Sequence, residues 1–208
     1  MKNILIHGLG QNSKDWDTIK NELETREISP IVPDLFDLTK GRELDYPTVY
    51  QAFSELCESY QDKLNLCGLS LGGLLALNYA IQYPKKINSL VLIGTPFEIP
   101  KGLLKFQNIV FRFMPKAVFQ NMGVSKKDFI RLSKSMVDLN FMDSATALDC
   151  PALILCGAKD KTNMESAKRF HEAMKNSKLV IVEASGHEVN KDNPNELVRV
   201  LQDFWADR

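Results

Sequence analysis

Short apolar runs alternate with amphipathic stretches along most of this chain. Ile4 to Ile6 opens the series and ends in His7-Gly8-Leu9-Gly10. Leu64 to Cys67, Ile87 to Ile93, Ala152 to Cys156 and Leu179 to Val182 are runs of the same kind. Continuous apolar runs of this length suit strands buried on both faces, as in a parallel sheet. Ile28 to Val32 is a sixth candidate. Pro30 interrupts it and Pro33-Asp34 closes it, which points to an edge or irregular strand.

Helical spacing fills the gaps. Trp16, Ile19 and Leu23 mark one amphipathic helix, with Ser13 as its expected N-cap. Residues 37–45 read as a loop. Val49, Phe53, Leu56 and Tyr60 then recur at helical spacing, with Pro47 suited to the first turn. A long apolar helix runs from Leu74 to Tyr83-Pro84. Another is expected from Glu165 to Met174, and a last one from Pro194, with Leu197, Val200, Leu201 and Trp205 on one face. Strand followed by helix, repeated, predicts an α/β fold with mostly parallel strands joined by helical crossovers.

The alternation lapses after Pro96. Residues 101–148 show helical spacing alone, with an apolar patch of Leu104, Ile109, Phe111, Phe113, Val118 and Phe119. Gly123 reads as a helix stop. Ser125 with Asp128 three residues on resembles a capping box. We read residues 96–149 as a short helical cap inserted after the strand ending near Ile93, within a single domain spanning 1–208.

Composition narrows the field. Lys+Arg and Asp+Glu both number 26, so no bulk field favours nucleic acid or an anionic membrane. Cys57, Cys67, Cys150 and Cys156 form no Cys-x-x-Cys pair and sit among apolar residues, which predicts buried thiols in a reducing compartment. The first apolar run is too short for a signal peptide or a membrane span. The expected location is cytoplasmic.

The candidate chemistry centres on Gly68-Leu69-Ser70-Leu71-Gly72, which lies between a strand and a helix. Gly-x-Ser-x-Gly in that context is a nucleophile elbow, a strained turn that lifts the serine hydroxyl above the sheet edge. Serine needs a base, and histidine is the side chain suited to that task. The sequence offers three. His171 sits inside a helical stretch and reads as a solvated or locally paired residue. His7 ends a strand before a Gly-rich loop and reads as a brace. His187 follows the last strand in Ser-Gly-His-Glu, at the edge where parallel sheets place ligands, and is the expected base. Asp160, in the loop after the preceding strand, is the expected acid, with Asp138 as the alternative. The oxyanion donors are expected to be the backbone N–H groups of Leu71 and Leu9, with Gly10 as the alternative to Leu9.

These motifs together resemble the α/β-hydrolase superfamily over essentially the whole chain. His7-Gly8-Leu9-Gly10 with Trp16 resembles its oxyanion loop and following helix. Cys156-Gly157-Ala158-Lys159-Asp160 resembles its acid loop, and Gly186-His187 its base loop. The order Ser, Asp, His is that family's order. The resemblance implies a sheet of about six strands, lacking the family's first hairpin, under a short cap. There is no His-Gly-Gly-Gly run, which disfavours the hormone-sensitive-lipase-like branch. A small single-domain serine esterase or thioesterase is the nearest type.

The implied activity is hydrolysis of a small-molecule carboxylic ester or thioester through an acyl-enzyme, needing neither metal nor organic cofactor. Phe97, Phe106, Phe111 and Phe113 are candidate lining for an apolar acyl or aryl group. They could equally seal the cap to the core, or meet a second copy in a homodimer. Two alternatives stay open: a lyase using Ser, His and Asp as a proton shuttle, and a ligand-binding protein without catalysis.

Overall fold

The computed structural model describes residues 1–96, 98, 111 and 114–206, with Lys116 and Asn121 described by backbone alone. Among them, five parallel strands form one sheet in sequential order: β1 (Lys2–Ile6), β2 (Leu64–Leu69), β3 (Ile87–Ile93), β4 (Ala152–Gly157) and β5 (Ser177–Val182). The strands follow the apolar runs because both faces of the sheet are covered. Period-two alternation divides each strand between two cores. Ile4, Ile6, Leu66, Leu90, Leu92 and Ile154 face one; Leu5, Cys67, Val91, Ile93 and Leu155 face the other.

Helices supply the outer layers. α1 (Asp17–Glu24) and the C-terminal helix Pro194–Ala206 share the second core, where Trp16, Ile19, Leu23, Leu197, Leu201 and Trp205 are all buried. The first core takes α2 (Leu35–Leu38), α3 (Tyr46–Glu58) and α4 (Leu71–Gln82). α4 is apolar on nearly every side, since it lies between the sheet and the helices outside it. Cys57, Cys67 and Cys156 are buried thiols; burial pushes the Cys156 thiol up to about 11.

The sixth expected strand shrinks to one bridge. Ile31 N–H donates to Asn3 O at 2.8 Å, and Leu5 N–H donates to Ile31 O at 2.9 Å. The next residue facing β1 is Pro33, which has no N–H to continue the ladder. Two other local expectations move. Asn12, not Ser13, caps the first turn, in a reciprocal box with Asp15. Part of the expected 37–45 loop is helical, because Asp34 accepts from Phe36 N and Asp37 N and starts α2.

Between β3 and β4 the described residues form α5 (Lys116–Asn121), α6 (Lys126–Ser135) and α7 (Met142–Ala145). Ser125 caps α6 through Asp128 N, as the pattern predicts. Phe119 and Phe129 pack edge to face at 5.1 Å, and Phe129 meets Phe111 at 5.0 Å. The remaining α-helices among the described residues are α8 (Lys161–Ala173), α9 (Val189–Asp192) and α10, the C-terminal helix Pro194–Ala206. No helix among the described residues is long and apolar enough to cross a membrane.

Candidate active site

Five parallel strands all end at one edge of the sheet, and the loops that leave them carry the candidate residues. Gly8 to Gly10 follow β1, Ser70 follows β2, Gly94 follows β3, Asp160 follows β4 and His187 follows β5. This edge is where open parallel sheets bind ligands.

Ser70 holds the elbow in strain. Its φ is 53° and ψ is −109°, a conformation that L residues rarely adopt. Its N–H is used by Ile93 O at 2.9 Å, and its carbonyl accepts from Leu74 N at 3.0 Å. The flanking glycines are forced by contact. A Cβ on Gly68 would stand 2.2 Å from the Gly72 carbonyl carbon, and one on Gly72 would stand 2.2 Å from Ile6 O. Leu71 opens α4, whose first-turn amides have no partner within the helix and lie at the positive end of its dipole.

The loop after β1 is a tight turn. Gln11 N–H donates to Gly8 O at 3.2 Å and Gly10 has φ +92°, the signature of a type II turn with glycine at its third position. Leu9 is the second residue of that turn, and the loop abuts the elbow: a Cβ on Gly8 would lie 3.6 Å from Ser70 Cβ. His7 braces the turn from beneath. It is fully buried, with Nδ1–H donating to Gly8 O and Nε2 accepting from Leu35 N, both at 3.0 Å. Those bonds require the neutral ring, and burial holds its pKa below the usual histidine value despite opposing contributions from Gly8 O and nearby carboxylates.

Asp160 and His187 form a direct pair. His187 Nδ1–H donates to Asp160 Oδ2 at 2.7 Å, with the Asp160 side chain 5% and the His187 side chain 41% exposed. The other oxygen, Oδ1, accepts from Asn163 N at 3.2 Å and so caps α8. Asn163 Nδ2 spans both carboxylate oxygens, at 3.0 and 2.9 Å. Burial pushes the Asp160 carboxyl up, but the hydrogen bonds from His187 and Asn163 together outweigh it and hold the pKa below the ordinary value. With Nδ1 protonated toward Asp160, Nε2 is left as the basic nitrogen. Asp138 is exposed in the turn after α6, and the carboxylate at the imidazole is Asp160.

Ser70 and His187 both border the end of β3. Ser70 is bonded to Ile93, and the next residue, Gly94, has φ +51°; a Cβ there would lie 3.0 Å from His187 Nδ1 and 3.3 Å from Asp160 Oδ2. No hydrogen bond joins Ser70 to His187 among the described residues. In such sites this contact is often long until substrate is bound. His171 bonds Ser177 Oγ at 2.9 Å, a local pairing away from this edge.

Two residues here carried no functional reading in the sequence. Asn163 stands three residues after Asp160, at the position an N-cap aspartate reaches, so its spacing was a usable signal. Gly94 was visible only as a strand-end glycine. Of the candidate pocket residues, Phe97, Phe106 and Phe113 lie outside the described residues. Phe111 is partly buried, with its ring edge-on to Phe129 in the cap. A hollow of about 430 Å³ beside β5, lined by Ile181, Glu183, Asn193, Asn195, Glu196 and Arg199, lies away from the candidate residues. Another of about 570 Å³ lies at the α5–α6 turn, where Met122 would stand 3.8 Å from a Cβ on Gly10. No three His, Cys, Asp or Glu side chains among the described residues stand close enough to hold a metal ion.

A strained serine at a helix N-terminus and a histidine–carboxylate pair at the same sheet edge are groups that acyl-transfer chemistry uses. Residues 4–138 match the family described as the alpha/beta hydrolase fold, and this chain belongs to that family. It is 26% identical to Lipase 3 of Moraxella sp. over 238 residues, covering 93% of this chain and 75% of that protein. It is 21% identical to the putative 2-succinyl-6-hydroxy-2,4-cyclohexadiene-1-carboxylate synthase of Bacillus subtilis over 248 residues, covering 97% and 89%. Among solved structures, an esterase from Exiguobacterium antarcticum superposes with a TM-score of 0.85 at 20% identity, covering 98% of this chain and 91% of the other.

Proposed function

We propose that this protein is a serine hydrolase of carboxylic esters or thioesters. The observation that carries the reading is the 2.7 Å Asp160–His187 bond at the sheet edge where Ser70 is held in strain. Ser70 Oγ attacks the acyl carbon as His187 Nε2 takes its proton. Asp160 holds the tautomer and stabilises the imidazolium. The Leu9 and Leu71 amides receive the oxyanion, and losing one such donor typically costs ~100- to 1000-fold in rate. His187 then protonates the leaving alcohol or thiol, and water releases the acid. The relatives named as lipase and esterase support the same class.

A second reading, a lyase using the same three side chains to move a proton, is favoured by the similarity to the Bacillus subtilis protein named a synthase. Stopped-flow hydrolysis of p-nitrophenyl esters of increasing chain length separates the two. The hydrolase reading expects turnover of at least the short esters, preceded by an acyl-enzyme burst and abolished in Ser70→Ala. A folded wild type that hydrolyses none of them would overturn it.

A further inference from the structure

Gln11 and Asn190 are 179 residues apart in the chain and form a reciprocal side-chain amide pair. Gln11 Nε2 donates to Asn190 Oδ1 at 3.2 Å, and Asn190 Nδ2 donates back to Gln11 Oε1 at 3.4 Å. Both residues are 2% exposed. The remaining hydrogens are also used. Gln11 Nε2 donates to Glu188 Oε1 at 2.8 Å, and Asn190 Nδ2 donates to Asp15 O at 3.0 Å. Lys191 Nζ joins Glu188 Oε1 at 3.1 Å to Asp15 Oδ1 at 2.9 Å, and Asp15 Oδ2 accepts from Asn12 N at 2.8 Å. The result is a closed ring of hydrogen bonds. One side of it is the turn that carries Leu9 N–H; the other is the segment directly after His187.

The amide pair at the centre of the ring is buried and fully satisfied, while Glu188 and Lys191 stand at its solvent-facing rim. A buried pair of this kind is rigid, because releasing either amide strands the donors and acceptors of the other. Hydrophobic packing could close the same space without fixing a register. This ring fixes one, and the two segments it ties together carry the base and an amide donor of the site.

We infer that the Gln11–Asn190 pair is a positioning device that sets the Leu9 amide at a fixed separation from His187, so that oxyanion and proton are handled in one geometry. Neither side chain touches the reacting atoms. The inference rests on the hydrolase reading above. It predicts that weakening the pair lowers kcat while leaving KM nearly unchanged, since misplacement of a catalytic group acts on the transition state. The Asp160–His187 pair lies outside the ring, so the pH profile of kcat keeps its shape.

Length supplies the control. Gln11→Asn shortens one arm by a methylene and Asn190→Gln lengthens the other. Each single variant is expected to lose roughly 10- to 100-fold in kcat, in line with the sensitivity of rate to ångström misplacement. The swap Gln11→Asn/Asn190→Gln is expected to recover most of it. Hydrogen exchange read by mass spectrometry tests the tie without reference to activity. Asn190→Leu should speed exchange in a peptide spanning 8–16 while β2 and β3 stay protected. An inactive wild type would sink the hydrolase reading, and the exchange result would still decide whether the two segments are tied. Active single variants within twofold of wild type, or unchanged exchange in 8–16 for folded Asn190→Leu, would overturn the inference.

Discussion

Asp160 divides its carboxylate between two tasks: Oδ2 holds His187 Nδ1 at 2.7 Å, and Oδ1 caps α8 through Asn163 N at 3.2 Å. The aspartate expected as the partner of His187 also caps the helix that follows it.

That division separates two substitutions. Asp160→Asn keeps a side chain that caps helices well, so the cap's share of stability is retained and only the share from the anion's bonds to Asn163 Nδ2 and His187 is lost. It also offers an amide to His187 in place of an anion, and kcat should fall by about 10³- to 10⁴-fold. Asp160→Ala should lose comparable activity and, in addition, about 1 kcal/mol of stability from the missing cap. Melting curves beside kcat for both variants check the pair of outcomes.

Asn163 stabilises the Asp160 anion through two hydrogen bonds from one amide. Asn163→Leu should raise the Asp160 pKa. The sign follows from the lowered native value: the stability this carboxylate contributes is present above its unfolded pKa of about 3.9 and is lost as pH falls through the lower native pKa. Removing the amide moves that loss to higher pH. Acid titration of unfolding in the variant against wild type reads it directly.

His7 predicts a separate pH effect. Its native pKa is lowered by burial, so below the unfolded value of about 6.5 the unfolded chain binds a proton that the native ring refuses. Stability should therefore decline as pH drops from about 6.5 to the native pKa, and then level. His7→Leu should abolish that slope. It should also cost on the order of 1–3 kcal/mol at neutral pH, because Leu35 N–H loses its buried acceptor. Urea melts at a series of pH values test both.

The strain at Ser70 has a measurable consequence. At φ 53° and ψ −109° glycine is at ease and alanine is not. Ser70→Gly and Ser70→Ala should both be inactive, but the glycine variant should be the more stable, by ~1 kcal/mol after its larger unfolded-state entropy is allowed for. Equal melting temperatures for the two would contradict this.

The strands and their terminal loops were legible because a sheet covered on both faces needs apolar runs, and because Gly68 and Gly72 stand where a Cβ would strike backbone. The pairing of Asp160 with His187 followed from chain order. What escaped was what depends on distant partners or on a single missing hydrogen. Ile28 to Val32 looks like a strand until Pro33 is seen to fall in pairing phase with β1. The α2 helix hides because only the Asp34 side chain starts it. The Gln11–Asn190 pair could not be read at all, since the two residues meet across 179 positions of the chain.

The most direct test of the central claim is covalent. Treat the purified protein with a fluorophosphonate and map the adduct by peptide mass spectrometry. The account predicts a single modified residue, Ser70, with labelling absent in Ser70→Ala and greatly slowed in His187→Ala. A folded wild type that stays unlabelled, or one labelled at another residue, would contradict it.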